Sequence, residues 1–130
     1  SHGMKINLVV KQPVVALADD NALRGVLLNL LDNAMKYGPA GQTVSVELST
    51  RDHTAILAVE DEGPGVPHAQ RAQVWEPFQR LERDQRAAIA GSGIGLTIVR
   101  ELVERMNGAV RIEDARGSSG ARFVVELPSS

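Results

Sequence analysis

The chain has 130 residues, 43% of them hydrophobic, which suffices for one compact domain with one core but not comfortably for two. Its formal net charge is −2, the charged residues are interspersed, and aromatic residues make up only 3%. Without a basic stripe or an aromatic platform, nucleic acid is not expected as a partner. Cysteine is absent, so disulfides and thiolate metal sites are excluded.

The opening residues 1–4 are typical of an expression-tag remnant, so we expect the folded domain to occupy residues 5–130 and to derive from a longer protein. No apolar run is long enough for a membrane span. The absence of cysteine is compatible with a cytoplasmic address, which we expect, and we expect the isolated domain to be monomeric. The sequence leaves open whether the parent protein is membrane-anchored.

The first half of the chain alternates strand and helix signals. Alternating apolar residues predict a strand over 6–10 and, after a proline, a second short strand over 14–18. An aspartate at 19 or 20 is expected to cap a helix that runs to Tyr37, where Gly-Pro follows.

The second half predicts a hairpin over 43–50 and 54–60, a short helix over 67–74 and a longer helix over 95–106. Two strands, 109–113 and 121–127, close the chain. Hairpins without regular βαβ alternation indicate an α+β fold. We expect a two-layer α/β sandwich: a mixed, mostly antiparallel sheet of about five strands, packed against three helices. Residues 77–91 show no clear hydrophobic periodicity and are expected to form a mobile lid.

The first helix carries a polar face that is a candidate ligand site. Positions i, i+4, i+7 and i+8 lie on one side of a helix, and here they are Asn29, Asn33, Lys36 and Tyr37. The amide oxygen of Asn33 suits Mg²⁺, and Lys36 could meet phosphates. The alternative is a solvated face with no function, although mid-helix asparagines reduce helix propensity.

The run Asp61-Glu62-Gly63-Pro64-Gly65 ends a predicted strand. Taken alone, this composition is more typical of an ordinary turn than of a binding loop. In a binding loop, a buried Asp61 carboxylate would accept a hydrogen bond from the amine of adenine and reject guanine. Gly63 and Gly65 would let the backbone approach the base.

A third glycine-rich run, GSGIGL at 91–96, directly precedes a helix. Free N–H groups and the positive dipole end make such a junction a phosphate site, although glycine loops also act as hinges. Between the two loops, Trp75 and Phe78 are interpreted as a hydrophobic plug that pins a lid to the core. Arg80 is the lid residue expected to reach a nucleotide.

The order and spacing of these motifs resemble the ATP-binding catalytic domain of sensor histidine kinases, within the superfamily of gyrase, Hsp90 and MutL. The resemblance covers nearly the whole chain after residue 4. It implies ATP and Mg²⁺ as cofactors, with Asn33 as the metal ligand and Asp61 reading adenine. It implies that the other nucleotide-binding residues are Asn29, Lys36, Tyr37, Gly63, Gly65, Phe78, Arg80, Gly91, Gly93, Gly95, Leu96 and Thr97.

Two features refine the expected activity. Hydrolytic relatives, and anti-sigma-factor serine kinases, typically carry a glutamate four residues before the metal-binding Asn, and that carboxylate can act as a general base. Here the residue is Asn29, which cannot. His2, His53 and His68 do not sit on a long helix with an acidic neighbour, so none is expected to accept phosphate.

The resemblance therefore implies a kinase domain that transfers phosphate to a histidine on a separate dimerisation domain, and indirectly to a response regulator. Two positions depart from the family pattern: Ala121 stands where relatives often have Thr, and Glu62 where they often have Asn. The alternatives are an anti-sigma-type serine kinase or similar ATP-dependent switch, and a degenerate module that only docks.

Overall fold

The computed structural model describes residues 3–76, 95–117 and 119–129. Its strands are β1 (Lys5–Val10), β2 (Thr43–Arg51), β3 (Thr54–Glu60), β4 (Ala109–Asp114) and β5 (Ala121–Pro128). The α-helices of the described ranges are α1 (Asp20–Tyr37) and α2 (Gly95–Arg105), and two 3-10 turns cover His68–Gln70 and Gln73–Trp75.

The strands form one sheet in the order β1-β2-β3-β5-β4. β1 runs parallel to β2, which α1 connects to it, and the other neighbouring pairs are antiparallel. The helices pack on one face of this sheet, and α1 and α2 pack on each other. The predicted fold class, a two-layer sandwich with a mixed, mostly antiparallel sheet, is confirmed.

Helix α1 begins and ends as the sequence predicts. Asp19 has extended backbone angles, and its carboxylate accepts the Ala22 N–H at 2.9 Å, which satisfies one of the free donors of the first turn. At the other end, the Gly38 N–H donates to the Ala34 carbonyl at 2.9 Å, and Pro39 prevents another turn. The helix buries Val26 and Leu30 against the sheet.

The hairpin of β2 and β3 turns at Asp52 and His53, which both have positive φ, 50° and 65°. Two such residues give the turn whose twist matches that of the strands, so Arg51 pairs with Thr54 without slippage. The prediction of the hairpin is confirmed within one residue at its boundaries.

Two sequence predictions about local structure are wrong. Residues 14–18 do not form a strand. They lie beside the end of β5, where the Leu17 N–H donates to the Pro128 carbonyl at 2.8 Å and the Ser129 hydroxyl donates to the Val15 carbonyl at 2.7 Å. Residues 67–74 form two 3-10 turns rather than one helix. The Arg71 guanidinium bonds Val66 O at 2.9 Å and Asp114, which ties this segment to β4.

The helix-free face of the sheet holds a buried cation. Arg122 on β5 is 5% exposed, and its guanidinium lies 3.0 Å from the Glu47 carboxylate and 3.5 Å from that of Glu60. Glu113 is 3.8 Å away. A buried charge is costly unless paired, and carboxylates from three other strands meet that requirement here. This cluster ties β2, β3, β4 and β5 together beneath the end of β3.

The core is aliphatic apart from one aromatic pair. Phe123 is 1% exposed, and the Trp75 ring meets it edge-on with centroids 6.1 Å apart and an interplanar angle of 87°. Trp75 is therefore the buried plug that the sequence predicts. Within the described residues, no helix is long and apolar enough to cross a membrane.

Candidate functional site

Helix α1 connects the two parts of the site that the structure describes. At its middle, the Asn29 side-chain oxygen lies near the start of α2, since a Cβ on Gly95 would be 3.3 Å from it. At its end, the Tyr37 carbonyl oxygen lies against the 61–65 loop, 3.1 Å from where a Cβ on Gly63 would stand. Eight residues of helix separate these contacts by about 12 Å. A ligand that touches both must be elongated.

Asn33 lies between these contacts on α1 and is 7% exposed. Its Nδ2 is buried and has no hydrogen-bond partner among the described residues. A buried amide without a partner costs free energy in the free protein, and a ligand can recover it. Rotation of the amide by 180° brings the oxygen to the same position, so the group fits either a polar ligand atom or a Mg²⁺ ion.

Asn29 and Lys36 each have a partner within α1. The Asn29 Nδ2 donates to the Gly25 carbonyl at 2.7 Å, which fixes the amide and directs its oxygen toward Gly95. Lys36 Nζ lies 3.0 Å from the Asp32 carboxylate, one turn earlier, and its side chain is 36% exposed. An exposed pair of this kind contributes little stability, so the ammonium can be redirected to a phosphate at small cost.

Asp61 ends β3 as a buried carboxylate, 2% exposed. Its Oδ1 accepts the Gly63 N–H at 2.9 Å and the Ala121 N–H at 3.1 Å. The Asp61 N–H donates to the Ala121 carbonyl at 3.0 Å. These bonds fix the plane of the carboxylate at the end of the sheet, so its orientation is set before any ligand arrives.

The backbone around Asp61 leaves no room for extra side chains. A Cβ on Gly120 would lie 2.0 Å from the Asp61 carbonyl oxygen, and one on Gly65 would lie 2.6 Å from the Ser119 carbonyl oxygen. Gly65 also has φ +75°, which favours glycine. Ala121 is fully buried beside this loop, and its N–H donates directly to the Asp61 carboxylate.

The start of α2 supplies the second part of the site. Gly95 opens the helix, and Leu96 packs partly buried against the core. Thr97 is buried, and its hydroxyl donates to the Trp75 carbonyl at 2.9 Å. This bond ties α2 to the segment that precedes residue 77. The nucleotide role predicted for Thr97 stays a prediction, and the structure adds this anchoring contact.

Four predicted site residues lie outside the described residues: Phe78, Arg80, Gly91 and Gly93. Of the histidines, His53 occupies the β2–β3 turn and His68 begins a 3-10 turn, and both are exposed. In the described part of the chain, no group of three His, Cys, Asp or Glu residues could hold a metal ion. A metal at Asn33 would therefore take most of its ligands from elsewhere, as Mg²⁺ does with water and phosphate oxygens.

Sequence reasoning missed Gln42, which is 3% exposed and joins the end of α1 to the 61–65 loop. It also missed Gly120, whose missing side chain lets β5 approach Asp61. The Gly-Ser-Ser-Gly turn contains two glycines, and the sequence does not tell which of them contacts Asp61. The pairing of β3 with β5 places Gly120 there. No motif indicated Gln42.

The sandwich fold, with an unpartnered asparagine on α1 and a buried aspartate held at the end of a strand, defines an ATP-binding domain of the gyrase and histidine kinase type. A family model described as histidine kinase-, DNA gyrase B- and HSP90-like ATPase matches residues 18–130. The chain belongs to this family.

The curated relatives are sensor histidine kinases. Sensor histidine kinase TmoS of Ectopseudomonas mendocina is 38% identical over 116 residues, which cover 88% of this chain and 12% of that protein. The signal transduction histidine-protein kinase/phosphatase MprB of Mycobacterium sp. (strain KMS) is 43% identical over 114 residues, 85% of this chain and 22% of that protein. The chain therefore spans less than a quarter of the length of these relatives and corresponds to their ATP-binding catalytic region.

Solved structures give the same result. A mycobacterial sensor histidine kinase MprB structure superposes with a TM-score of 0.83 at 34% identity, covering 97% of this chain and 82% of that one. Full-length ShkA in complex with AMPPNP superposes with a TM-score of 0.81 at 35% identity, covering 98% of this chain and 26% of that one.

Proposed function

We propose that this domain binds ATP with Mg²⁺ and presents the γ-phosphate to a histidine on a separate dimerisation domain of a two-component sensor kinase. The observation that carries the proposal is the placement of Asn33: a buried amide without a protein partner, between the loop of Asp61 and the start of α2. ShkA, which is 35% identical, was crystallised with AMPPNP, and this supports a nucleotide as the ligand.

The adenine end of the site is assigned to Asp61, Gly63, Gly65 and Tyr37. The Asp61 carboxylate would accept the exocyclic amine of adenine, and its two backbone hydrogen bonds hold it ready for that contact. Guanine presents a carbonyl oxygen in the same place, which a carboxylate repels. Tyr37 would pack beside the base, because its backbone already lies against Gly63.

The phosphate end is assigned to Asn29, Asn33, Lys36 and the start of α2. Asn33 would hold Mg²⁺, which when bound neutralises charge on the phosphate oxygens. Lys36 would leave Asp32 to meet a phosphate, and the backbone N–H groups at Gly95, Leu96 and Thr97 point from a helix N-terminus. The remaining proposed nucleotide contacts rest on the sequence motifs alone; they are Gly91, Gly93, Arg80 and Phe78.

The proposed site positions phosphate without activating water. The Asn29 amide has no basic atom, and its nitrogen is engaged with Gly25. Phosphoryl transfer depends mainly on positioning and charge stabilisation, so this arrangement suffices when the acceptor comes from another domain. An amide in place of a carboxylate at position 29 distinguishes the proposal from a hydrolase and from an anti-sigma-type serine kinase.

Calorimetric titration tests this assignment. We expect saturable one-to-one binding of ATP that weakens when Mg²⁺ is chelated, and weak or no binding of GTP. An equal affinity for GTP would remove the role given to Asp61. Absence of ATP binding would overturn the proposed function and favour a degenerate docking module.

A further inference from the structure

Gln42 is a buried amide that contacts both sides of the nucleotide site without belonging to it. It lies in the turn between α1 and β2 and is 3% exposed. Its Nε2 donates to the Ala34 carbonyl in the last turn of α1 at 2.7 Å. Its Oε1 accepts the Glu62 N–H in the 61–65 loop at 3.1 Å. One side chain therefore bridges the end of α1 and the loop that begins at Asp61.

A second side chain completes this bridge from the opposite direction. The Glu62 carboxylate accepts the Thr43 N–H at the start of β2 at 2.7 Å. The two residues thus form a reciprocal pair: the Glu62 backbone bonds the Gln42 side chain, and the Glu62 side chain bonds the residue after Gln42. We call this pair the Gln42–Glu62 clamp.

Gly38 makes room for the clamp. A Cβ at this position would lie 2.2 Å from both Nε2 and Oε1 of Gln42, so the amide packs directly on the Gly38 backbone. The backbone angles of Gly38 are φ −89° and ψ 164°, which any residue can adopt. Glycine therefore leaves room for the Gln42 amide in its present position, and a Cβ here would displace that amide.

We propose that the Gln42–Glu62 clamp is a positioning device for the nucleotide site, which fixes the 61–65 loop against the end of α1 before nucleotide binds. The inference rests on the proposed function for its effect on ATP. Tyr37 and Asn33 lie on the helix turn that the clamp holds, and Asp61 and Gly63 lie in the loop that it holds. An ordered site loses less entropy on binding, so the clamp contributes to affinity without touching ATP.

The first test removes the amide in two independent ways. Gln42→Leu keeps a side chain of similar size and removes its hydrogen bonds to Ala34 and Glu62. Gly38→Ala leaves residue 42 unchanged, but the new methyl group displaces the Gln42 amide. We expect each to weaken ATP binding roughly tenfold, the equivalent of about one net hydrogen bond. Gly117→Ala is the matched control, because a Cβ there meets nothing within 4 Å, and it should bind ATP as the wild type does.

Loss of stability alone must be separated from loss of positioning. Leu127→Ala opens a cavity in the core at the opposite end of β5, where Leu127 pairs with Ala55, and it should destabilise the fold at least as much as Gln42→Leu. We expect its ATP affinity to stay within about twofold of wild type below its unfolding transition. If Leu127→Ala and Gln42→Leu weaken ATP binding equally, the positioning role is overturned.

Substitution of Glu62 distinguishes the clamp from a simple charge effect, because the two predict opposite changes in ATP affinity. Removing a carboxylate near a polyanionic nucleotide should tighten binding if charge alone matters. The clamp predicts the reverse: Glu62→Ala weakens ATP binding roughly threefold, and Glu62→Gln restores it because an amide oxygen can still accept the Thr43 N–H. Tighter binding by Glu62→Ala would contradict the proposal.

Amide hydrogen exchange in the nucleotide-free protein decides the inference independently of the proposed function. The Gly63 N–H donates to the Asp61 carboxylate, and Gln42→Leu changes neither partner of this hydrogen bond. Its exchange rate therefore reports how firmly the 61–65 loop is held. We expect its exchange to accelerate roughly tenfold or more in Gln42→Leu, while the Val125 amide in β5, which has a strand on each side, keeps its wild-type rate. Unchanged Gly63 exchange overturns the clamp, whereas failure of the wild type to bind ATP would overturn only the proposed function.

Discussion

Replacing Asp61 with Asn separates the structural work of this residue from its proposed work in recognition. The Asp61 Oδ1 accepts two backbone N–H groups, from Gly63 at 2.9 Å and Ala121 at 3.1 Å. An asparagine oxygen can accept the same two bonds. The other carboxylate oxygen becomes an NH₂ group, which would meet the amine of adenine donor to donor.

The magnitudes follow from these bonds. A hydrogen bond to a charged group is worth about 1.5–3 kcal/mol, so Asp61→Asn should weaken ATP binding by roughly 10- to 100-fold. Stability should fall by no more than about 2 kcal/mol, because the two backbone bonds lose charge assistance but persist. Asp61→Ala leaves two buried N–H groups unpaired, which costs about 1–3 kcal/mol each.

The assay combines calorimetry with urea unfolding on the wild type, Asp61→Asn and Asp61→Ala. We expect Asp61→Asn to remain folded, to lose ATP affinity and to narrow or reverse the preference for ATP over GTP. Wild-type ATP affinity in Asp61→Asn would refute the recognition role. Equal destabilisation by both variants would refute the account of the two retained bonds.

Three further changes test other parts of the structure. Gly120→Ala places a Cβ 2.0 Å from the Asp61 carbonyl oxygen and should lower the free energy of unfolding by roughly 1–3 kcal/mol, measured by urea unfolding. An unchanged urea midpoint would show that the backbones of Gly120 and Asp61 do not approach so closely. Asn33→Ala should abolish most of the Mg²⁺ dependence of ATP binding, and a titration in which chelation still weakens binding as in wild type would exclude Asn33 as the ligand. The Arg71 guanidinium bonds Asp114 and holds the pKa of that carboxyl below its ordinary value of 3.8, so its contribution is present above pH 3.8 and is lost as the pH falls through the folded pKa. Asp114→Asn should therefore be less stable than wild type at neutral pH, and the difference should close in strong acid; a constant difference across this range would contradict the ion pair.

The parts of the fold that were predictable depend on local signals. The apolar period of α1, its Asp19 cap and the Gly-Pro after it lie within one segment, so its bounds follow from the sequence. The β2–β3 hairpin is equally local. Local patterns can also mislead: residues 14–18 alternate as a strand does, yet they form no strand. Among the described residues, they make one backbone–backbone hydrogen bond to β5, from the Leu17 N–H to the Pro128 carbonyl, which is too few for a ladder.

The parts that were not predictable depend on contacts between distant residues. Gln42 bonds partners eight and 20 residues away, and neither lies in a recognised pattern with it. Arg122 is buried where β5, an interior strand between β3 and β4, brings it near Glu47, 75 residues earlier in the chain. Motif spacing identified the side chains proposed to touch the nucleotide, whereas strand register determines which residues hold them in place.

Glu62 has a structural role that the sequence alone did not indicate. In the structure, its carboxylate bonds the Thr43 N–H at the start of β2.

The transfer of labelled phosphate tests the central proposal most directly. The domain is incubated with γ-labelled ATP and Mg²⁺, alone and with the proposed histidine-bearing dimerisation domain as a separate polypeptide. We predict acid-labile label on the dimerisation domain, none on this chain alone, and loss of the label with Asn33→Ala. Stable acid-labile label on this chain alone, or no transfer to the dimerisation domain by a wild-type protein that binds ATP, would contradict the account.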